Sequence, residues 1–252
     1  MKNSITFHKK NSLLLTIFKS ALFIVPFIFI FGSSGCIKEP IEVKDENQYG
    51  TAWINNRSYL IVKIGEQWWM AEDLVSTTYN DGTPIPEVVD NKDWAAQTQG
   101  ARYKSNYNWF AIAKLAPQGW HVPSDAEWKT MEEHVGMDNS EANKLGWRGS
   151  DEGDKLKMTD NGIWALYDQN AVWGTNESGF GAQPTVCRMF DGSDVESAGD
   201  LKINNITTFY WTSTEANIDT TAYYRHLDYK KSNIFRHYGS KNYGFAVRLV
   251  KD

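Results

Sequence analysis

The chain has 252 residues, a formal net charge of -5 and 14% aromatic residues, among them 11 tryptophans. The acidic balance disfavours nucleic acid as a partner. With only 2 cysteines and 5 histidines, the chain has no disulfide framework and no recognisable zinc motif. Length and composition predict one globular domain whose tryptophans serve either a packed core or a ligand-binding surface.

The N-terminal segment has the composition of a signal peptide. Lysines precede an apolar run over residues 13–31, which Lys19 and Pro26 interrupt. This pattern predicts a secretory signal at residues 1–35, and the internal lysine and proline disfavour a membrane-spanning helix. The small residues before Cys36 resemble a bacterial lipobox, which implies that Cys36 is lipidated and anchors an exported protein to the cell envelope, with the outer membrane as the expected location. The alternative is an ordinary secretory signal that leaves Cys36 as a thiol.

Residues 36–48 are polar and charged, and they predict a flexible tether ahead of a domain at residues 49–252. At the start of that domain, β-branched and aromatic residues flank Asn55-Asn56 and Gly65-Glu66. Turn formers between such runs predict three short strands joined by two turns.

Two helices are predicted after a loop at residues 79–86, where turn formers dominate. Apolar residues at helical spacing predict the first helix over 106–114. The second begins at Ser124, whose hydroxyl and the carboxylate of Glu127 form a capping box, and it ends near Gly136.

Beyond residue 136, glycine, aspartate and asparagine separate short runs, which predicts a long irregular region held by buried aromatic residues. Four strand-length segments follow near the C-terminus: F-Y-W-T-S-T-E, A-Y-Y-R-H-L, S-N-I-F-R-H-Y and Y-G-F-A-V-R-L-V. No period of about 20 to 50 residues repeats, which disfavours a solenoid or propeller.

Seven blocks of sequence occur in a recognisable order: I-G-E-Q-W-W-M-A-E-D-L, Y-N-W-F-A-I-A, P-Q-G-W-H-V-P-S-D-A-E-W, G-D-K-L-K, E-S-G-F-G-A-Q-P, Y-W-T-S-T-E and Y-G-F-A-V-R-L-V-K-D. In this order they resemble the Fibrobacter succinogenes major paralogous domain over nearly all of residues 49–252. That family resembles C-type lectin-like domains, and the third block is similar to a helix start in formylglycine-generating and related sulfatase-modifying domains.

The resemblance implies an α+β, C-type lectin-like fold with two helices, a small twisted antiparallel sheet, long aromatic-rich loops and termini in neighbouring strands. Ala116 and Leu249 stand where the family carries cysteines, so the family's disulfide is not expected here.

Several residues of these blocks are expected to be structural. Trp120, His121 and Trp128 form either a plug between helix and sheet or a ligand cradle, and packing is favoured. Trp211 lies in the Y-W-T-S-T-E block. Arg188 and Arg248 lie in aromatic-rich blocks, where we expect each guanidinium to bind a carboxylate or backbone carbonyls.

Candidate ligand-binding residues lie in the loop-rich half and on the C-terminal strands. We favour ordinary packing for Trp164, Trp173, Tyr223 and Tyr224, and the functional alternative is that their faces stay in water and stack on sugar rings. We expect a glycan or another surface macromolecule as the partner, besides the membrane that the lipid would contact.

Calcium is the one cofactor that the sequence leaves open. Asp151, Asp154 and Asp160 offer loop oxygens, although solvated acidic loops are the alternative. Gln183-Pro184-Thr185 is similar to the tripeptide through which C-type lectins hold calcium and sugar. Thr185 replaces the third ligand of that tripeptide, so the lectin sugar site is not transferred to this chain.

The sequence shows no catalytic constellation, and the favoured function is a non-catalytic envelope binding module. The alternatives are an enzyme and a structural component of a surface complex. A formylglycine-generating oxidase needs two reactive cysteines, and only Cys187 remains after lipidation of Cys36. A polysaccharide hydrolase needs two facing carboxylates, and Glu127 already serves the helix cap.

Overall fold

The computed structural model describes five parts of the chain: residues 48–159, 164, 174–194, 206–217 and 219–252. The chain divides into two units, Met1–Glu42 and Val43–Asp252, and every described residue belongs to the second. The predicted signal peptide, Cys36 and the tether before residue 48 lie outside the described residues. Among those residues, no helix has the length and apolar character needed to cross a membrane.

The first sheet is antiparallel and begins with the three predicted strands. The turn between the first two has positive φ at Asn55 (46°) and Asn56 (63°), which suits a two-residue hairpin, and Gly65 (61°) lies in the second turn. The predicted strands and turns are confirmed. The sheet order is β1 (Tyr49–Ile54), β2 (Arg57–Ile64), β3 (Gln67–Met70), β11 (Val250–Lys251), β6 (Trp120–His121).

The last strand joins this sheet between β3 and β6, where Val250 pairs with Trp69 and His121. The resemblance implied that the two ends of the domain lie in neighbouring strands. That expectation is wrong, because β2 and β3 lie between β1 and β11.

The second sheet is built from the C-terminal segments. Its antiparallel order is β7 (Gly146–Arg148), β10 (Ile234–Ser240), β9 (Thr221–Asp228), β8 (Thr207–Glu215). A register shift between Trp211 and Glu215 marks an irregularity in β8. A separate two-stranded ladder pairs β4 (Arg102–Tyr103) with β5 (Asn106–Tyr107).

Short helices connect the sheets: α1 (Asn91–Ala95), α2 (Asp125–His134), α3 (Asn139–Ala142), α4 (Glu152–Leu156) and a 3₁₀ helix (Trp109–Lys114). The capping box at the start of α2 is confirmed, since the Ser124 and Glu127 side chains each bond the other's backbone amide. The helix predicted over 106–114 is only partly present, because Asn106 and Tyr107 form a strand. The implied number of two helices is too low.

The core consists of two aromatic clusters. In the first, Trp128 packs edge-to-face on Trp69 and Phe180, with ring centroids 5.2 and 5.6 Å away. In the second, Trp211 packs on Phe245 at 4.6 Å. Such pairs add stability beyond the burial of their area. The described fold is broadly α+β and mostly sheet.

Candidate functional site

One face of the second sheet carries a row of aromatic rings that crosses all four strands. Phe209 of β8 pairs with His226 of β9, His226 with Phe235 of β10, and Phe235 with Trp147 of β7. Because side chains alternate between the two faces of a strand, cross-strand partners point the same way. We call these four residues, together with Tyr224, His237 and Tyr243, the aromatic platform.

The rings of the platform touch one another. Phe209 stacks on His226 with centroids 4.1 Å apart and planes 10° apart, and Trp147 lies 5.2 Å from Phe235. Tyr224 lies 6.5 Å from both His237 and Tyr243. All seven side chains are half-buried, so part of the platform is exposed to solvent, while Phe209, Tyr224 and Tyr243 also pack against the second core cluster.

Two ionisable side chains of the platform are uncharged near neutral pH. Burial lowers the pKa of His226 to about 4, so its imidazole is neutral there. Burial also raises the pKa of Tyr224 to about 12, which keeps its phenol protonated. Neutral aromatic side chains are suited to a ligand with apolar faces.

The structure separates the three described residues among the four candidates for stacking on sugar. Tyr224 lies in the platform, but its neighbour Tyr223 lies on the opposite face, where the Arg236 guanidinium is 4.6 Å from its ring centroid. Trp164 is only 6% exposed and its indole donates to the Ala182 carbonyl at 3.1 Å. Trp164 therefore packs, as favoured, and does not offer a face for stacking, because its indole lies in the first core cluster. Trp173 lies outside the described residues.

Sequence reasoning missed every platform residue except Tyr224, namely Trp147, Phe209, His226, Phe235, His237 and Tyr243. For Phe209, His226, Phe235 and His237, the signal was the alternation of aromatic residues at every second position within the C-terminal segments. The register of the sheet depends on pairing between strands that are far apart in sequence. The sequence of one strand does not show which residue of another strand lies beside it.

The two calcium candidates that the structure describes each form an ion pair with a lysine. Asp151 pairs with Lys155 at 2.9 Å, and Asp154 pairs with Lys157 at 2.8 Å. Each carboxylate thus faces a lysine of its own helix, and Asp160 lies outside the described residues. Nowhere in the described part does a group of three or more His, Cys, Asp or Glu side chains assemble to hold a metal ion.

His121 is held between two carboxylates. Its Nδ1 lies 2.6 Å from Asp252 Oδ1, and its Nε2 lies 2.6 Å from Glu127 Oε1. Burial lowers the pKa of His121, but the hydrogen bonds to Asp252 and Glu127 outweigh it and the net shift is upward. Both ring nitrogens are therefore engaged, and the geometry makes His121 a clamp between β6, α2 and the chain end.

A buried charge cluster joins α2 to the inner face of the second sheet. The carboxylate of Glu132 accepts from Arg148 at 2.7 Å and from Arg225 at 2.6 Å. Asp125 accepts from Arg225 and from Arg236, each at 2.8 Å. Burial raises the pKa of Asp125, but the two guanidinium groups outweigh it and hold the pKa well below its ordinary value. The cluster fixes the helix on the sheet.

The other residues expected to be structural are engaged in the same way. Arg188 donates to Asp194 and Arg248 donates to Asp73, each at 2.7 Å, which confirms that both guanidinium groups bind carboxylates. The Trp211 indole donates to the Tyr107 carbonyl at 2.8 Å.

The model of one protein family, described as the Fibrobacter succinogenes major domain, matches residues 62–251 of the chain. The match covers β3, all four helices, the charge cluster and every residue of the aromatic platform. No curated protein and no solved structure matches the chain.

Proposed function

The chain belongs to the Fibrobacter succinogenes major domain family, and we propose that it is a non-catalytic binding module whose aromatic platform recognises a glycan. The observation that carries this proposal is the row of Phe209, His226, Phe235 and Trp147 across four paired strands. A pyranose ring has an apolar C–H face, and flat aromatic rings are the surface on which such a face packs.

The spacing of the row favours an extended ligand over a single small molecule. Neighbouring strands of a sheet lie about 4.8 Å apart, so a row across four strands spans about 14 Å. This length is comparable with a short run of linked sugar units. The surface is a shallow sheet face, so the ligand would lie along it instead of entering a pocket.

We propose in addition that the protein is exported and anchored to the cell envelope by lipid at Cys36, which would place the platform outside the cytoplasm. The support is the sequence pattern of residues 1–36.

We also propose that the fold is related to C-type lectin-like domains. The support is the pairing of two antiparallel sheets with short helices and the return of the final strand to the first sheet.

The test is a glycan array probed with the full-length protein, followed by titration of the best glycan. Trp147→Ala and Phe235→Ala should each weaken binding by about tenfold, equivalent to 1.4 kcal/mol. Trp53→Ala is the matched control, because Trp53 is 72% exposed on β1 and is not part of the platform.

Unchanged affinity in both platform variants, with intact folding, would contradict the proposal.

The array is repeated with a calcium chelator. Binding should persist, since Asp151 and Asp154 face lysines. An array without any bound glycan would instead favour a protein partner and the structural-component alternative.

A further inference from the structure

A concave site lies away from the aromatic platform. A cleft of about 300 Å³ opens between the 3₁₀ helix, β6 and β8. We call it the indole cleft, because Trp109 and Trp120 line it. The lining also includes Ala113, Ala116, His121 and Ser213.

The walls of the indole cleft are fixed before any ligand arrives. The Trp109 indole donates to the Thr212 carbonyl at 2.9 Å, and the Lys241 ammonium lies 4.4 Å from its ring centroid. His121 is held by Asp252 and Glu127, each at 2.6 Å. A preformed site loses little conformational entropy when a ligand binds.

The base of the cleft is apolar and its rim is polar. Ile112 and Val122 are buried beneath it, and the small side chains of Ala113 and Ala116 leave the space open. At the rim, the Ser213 side chain is exposed and makes no hydrogen bond to any residue in the described ranges. The half-exposed Asp252 carboxylate lies beside His121. Such a mixture of ring faces and a few polar groups is typical of small-ligand sites.

The charges beside the cleft are already paired with one another. His121 lies between the carboxylates of Glu127 and Asp252. The Lys241 ammonium at the Trp109 ring pairs with the Glu215 carboxylate at 2.8 Å. The described residues of the cleft therefore offer no unpaired charge of either sign to an ion, whereas the hydroxyls of a neutral ring can bond Ser213 and Asp252.

We propose that the indole cleft binds a single neutral pyranose residue. The sugar's C–H face packs between Trp109 and Trp120, and its hydroxyls face Ser213 and Asp252. This proposal is independent of the proposed function, since no residue of the platform lines the cleft.

The test is saturation-transfer NMR on the full-length protein with four probes: the methyl pyranosides of glucose, galactose, mannose and N-acetylglucosamine. We expect transfer to the ring protons of at least one probe. Ala113→Phe fills the cleft from an exposed position and should abolish that transfer. Ala95→Phe is the matched control, because Ala95 is also an exposed alanine but lies on α1, outside the cleft.

Ser213→Ala removes one exposed hydroxyl and should weaken the titrated affinity severalfold without affecting folding. Trp147→Ala should leave the transfer unchanged, which separates this site from the platform. The proposal is overturned if no probe shows transfer, if transfer survives in folded Ala113→Phe, or if Trp147→Ala abolishes it. p-Cresol is added as a fifth probe, and transfer to p-cresol with none to the sugars would identify a site for apolar rings and would also overturn the proposal.

Discussion

The replacement Glu132→Gln tests the buried charge cluster directly. Glu132 is 0% exposed and its carboxylate accepts from Arg148 and Arg225. Glutamine keeps the shape of the side chain but removes the charge and turns one acceptor into an amide donor that faces a guanidinium. Only Asp125 would then remain to balance three buried arginines.

The expected loss is large for one substitution. Removing one partner of a buried, hydrogen-bonded ion pair costs about 3–5 kcal/mol, because the remaining charge is left uncompensated. For a domain of this size, each kcal/mol lowers the unfolding temperature by about 2–4 °C. We therefore expect the midpoint to fall by roughly 6–20 °C in thermal unfolding followed by near-ultraviolet circular dichroism.

The matched control is Glu66→Gln at the exposed Lys63–Glu66 pair, where the glutamate side chain is 96% exposed. An exposed pair contributes about 0–1 kcal/mol, so this variant should unfold close to the wild type. The double variant Glu132→Met/Arg148→Met removes Glu132 and one of its two arginine partners, which restores the net charge of the cluster. Arg225 keeps its bond to Asp125 but loses its acceptor on Glu132, so part of the stability should return. A midpoint for Glu132→Gln equal to that of Glu66→Gln would refute the reasoning.

Three further predictions follow from particular contacts. Ser124→Ala should lower the free energy of unfolding by about 1 kcal/mol, because the helix loses its cap; an unchanged denaturation curve would contradict that role. His121 has a raised pKa when folded, so its contribution is fully present below the unfolded value of about 6.5 and is lost as pH rises through the folded value. The difference in free energy of unfolding between wild type and His121→Gln should therefore shrink as pH rises through the folded pKa of His121. A difference that grows would refute the role of His121 as a clamp. Cys36→Ala should release the protein from membranes in a flotation assay, and a variant that still floats would argue against lipidation.

The features that could be predicted from the sequence depend on neighbouring residues. The turn at Asn55-Asn56 and the capping box of Ser124 and Glu127 each involve groups within a few positions of one another. The short helices α1, α3 and α4 escaped prediction because four or five residues are too few to show helical periodicity.

The features that could not be predicted depend on residues far apart in the chain. Glu132 and Arg225 are 93 positions apart, and nothing near either one indicates the other. Trp164 lies among turn-forming residues, which left exposure open, yet its indole reaches the first core cluster. A large aromatic side chain in irregular structure can still gain more free energy from burial than from solvation.

Strand β9 connects the charge cluster with the aromatic platform. Arg225 points to the inner face and binds Glu132 and Asp125, while Tyr224 and His226 on either side of it point to the platform. Because side chains alternate along a strand, the contacts that hold Arg225 also set the height and rotation of its two neighbours. The charge cluster therefore has a second role, which is to hold the platform rings in one row. On this argument, Glu132→Gln should weaken glycan binding at temperatures where the protein is still folded, although Glu132 lies on the opposite side of the sheet.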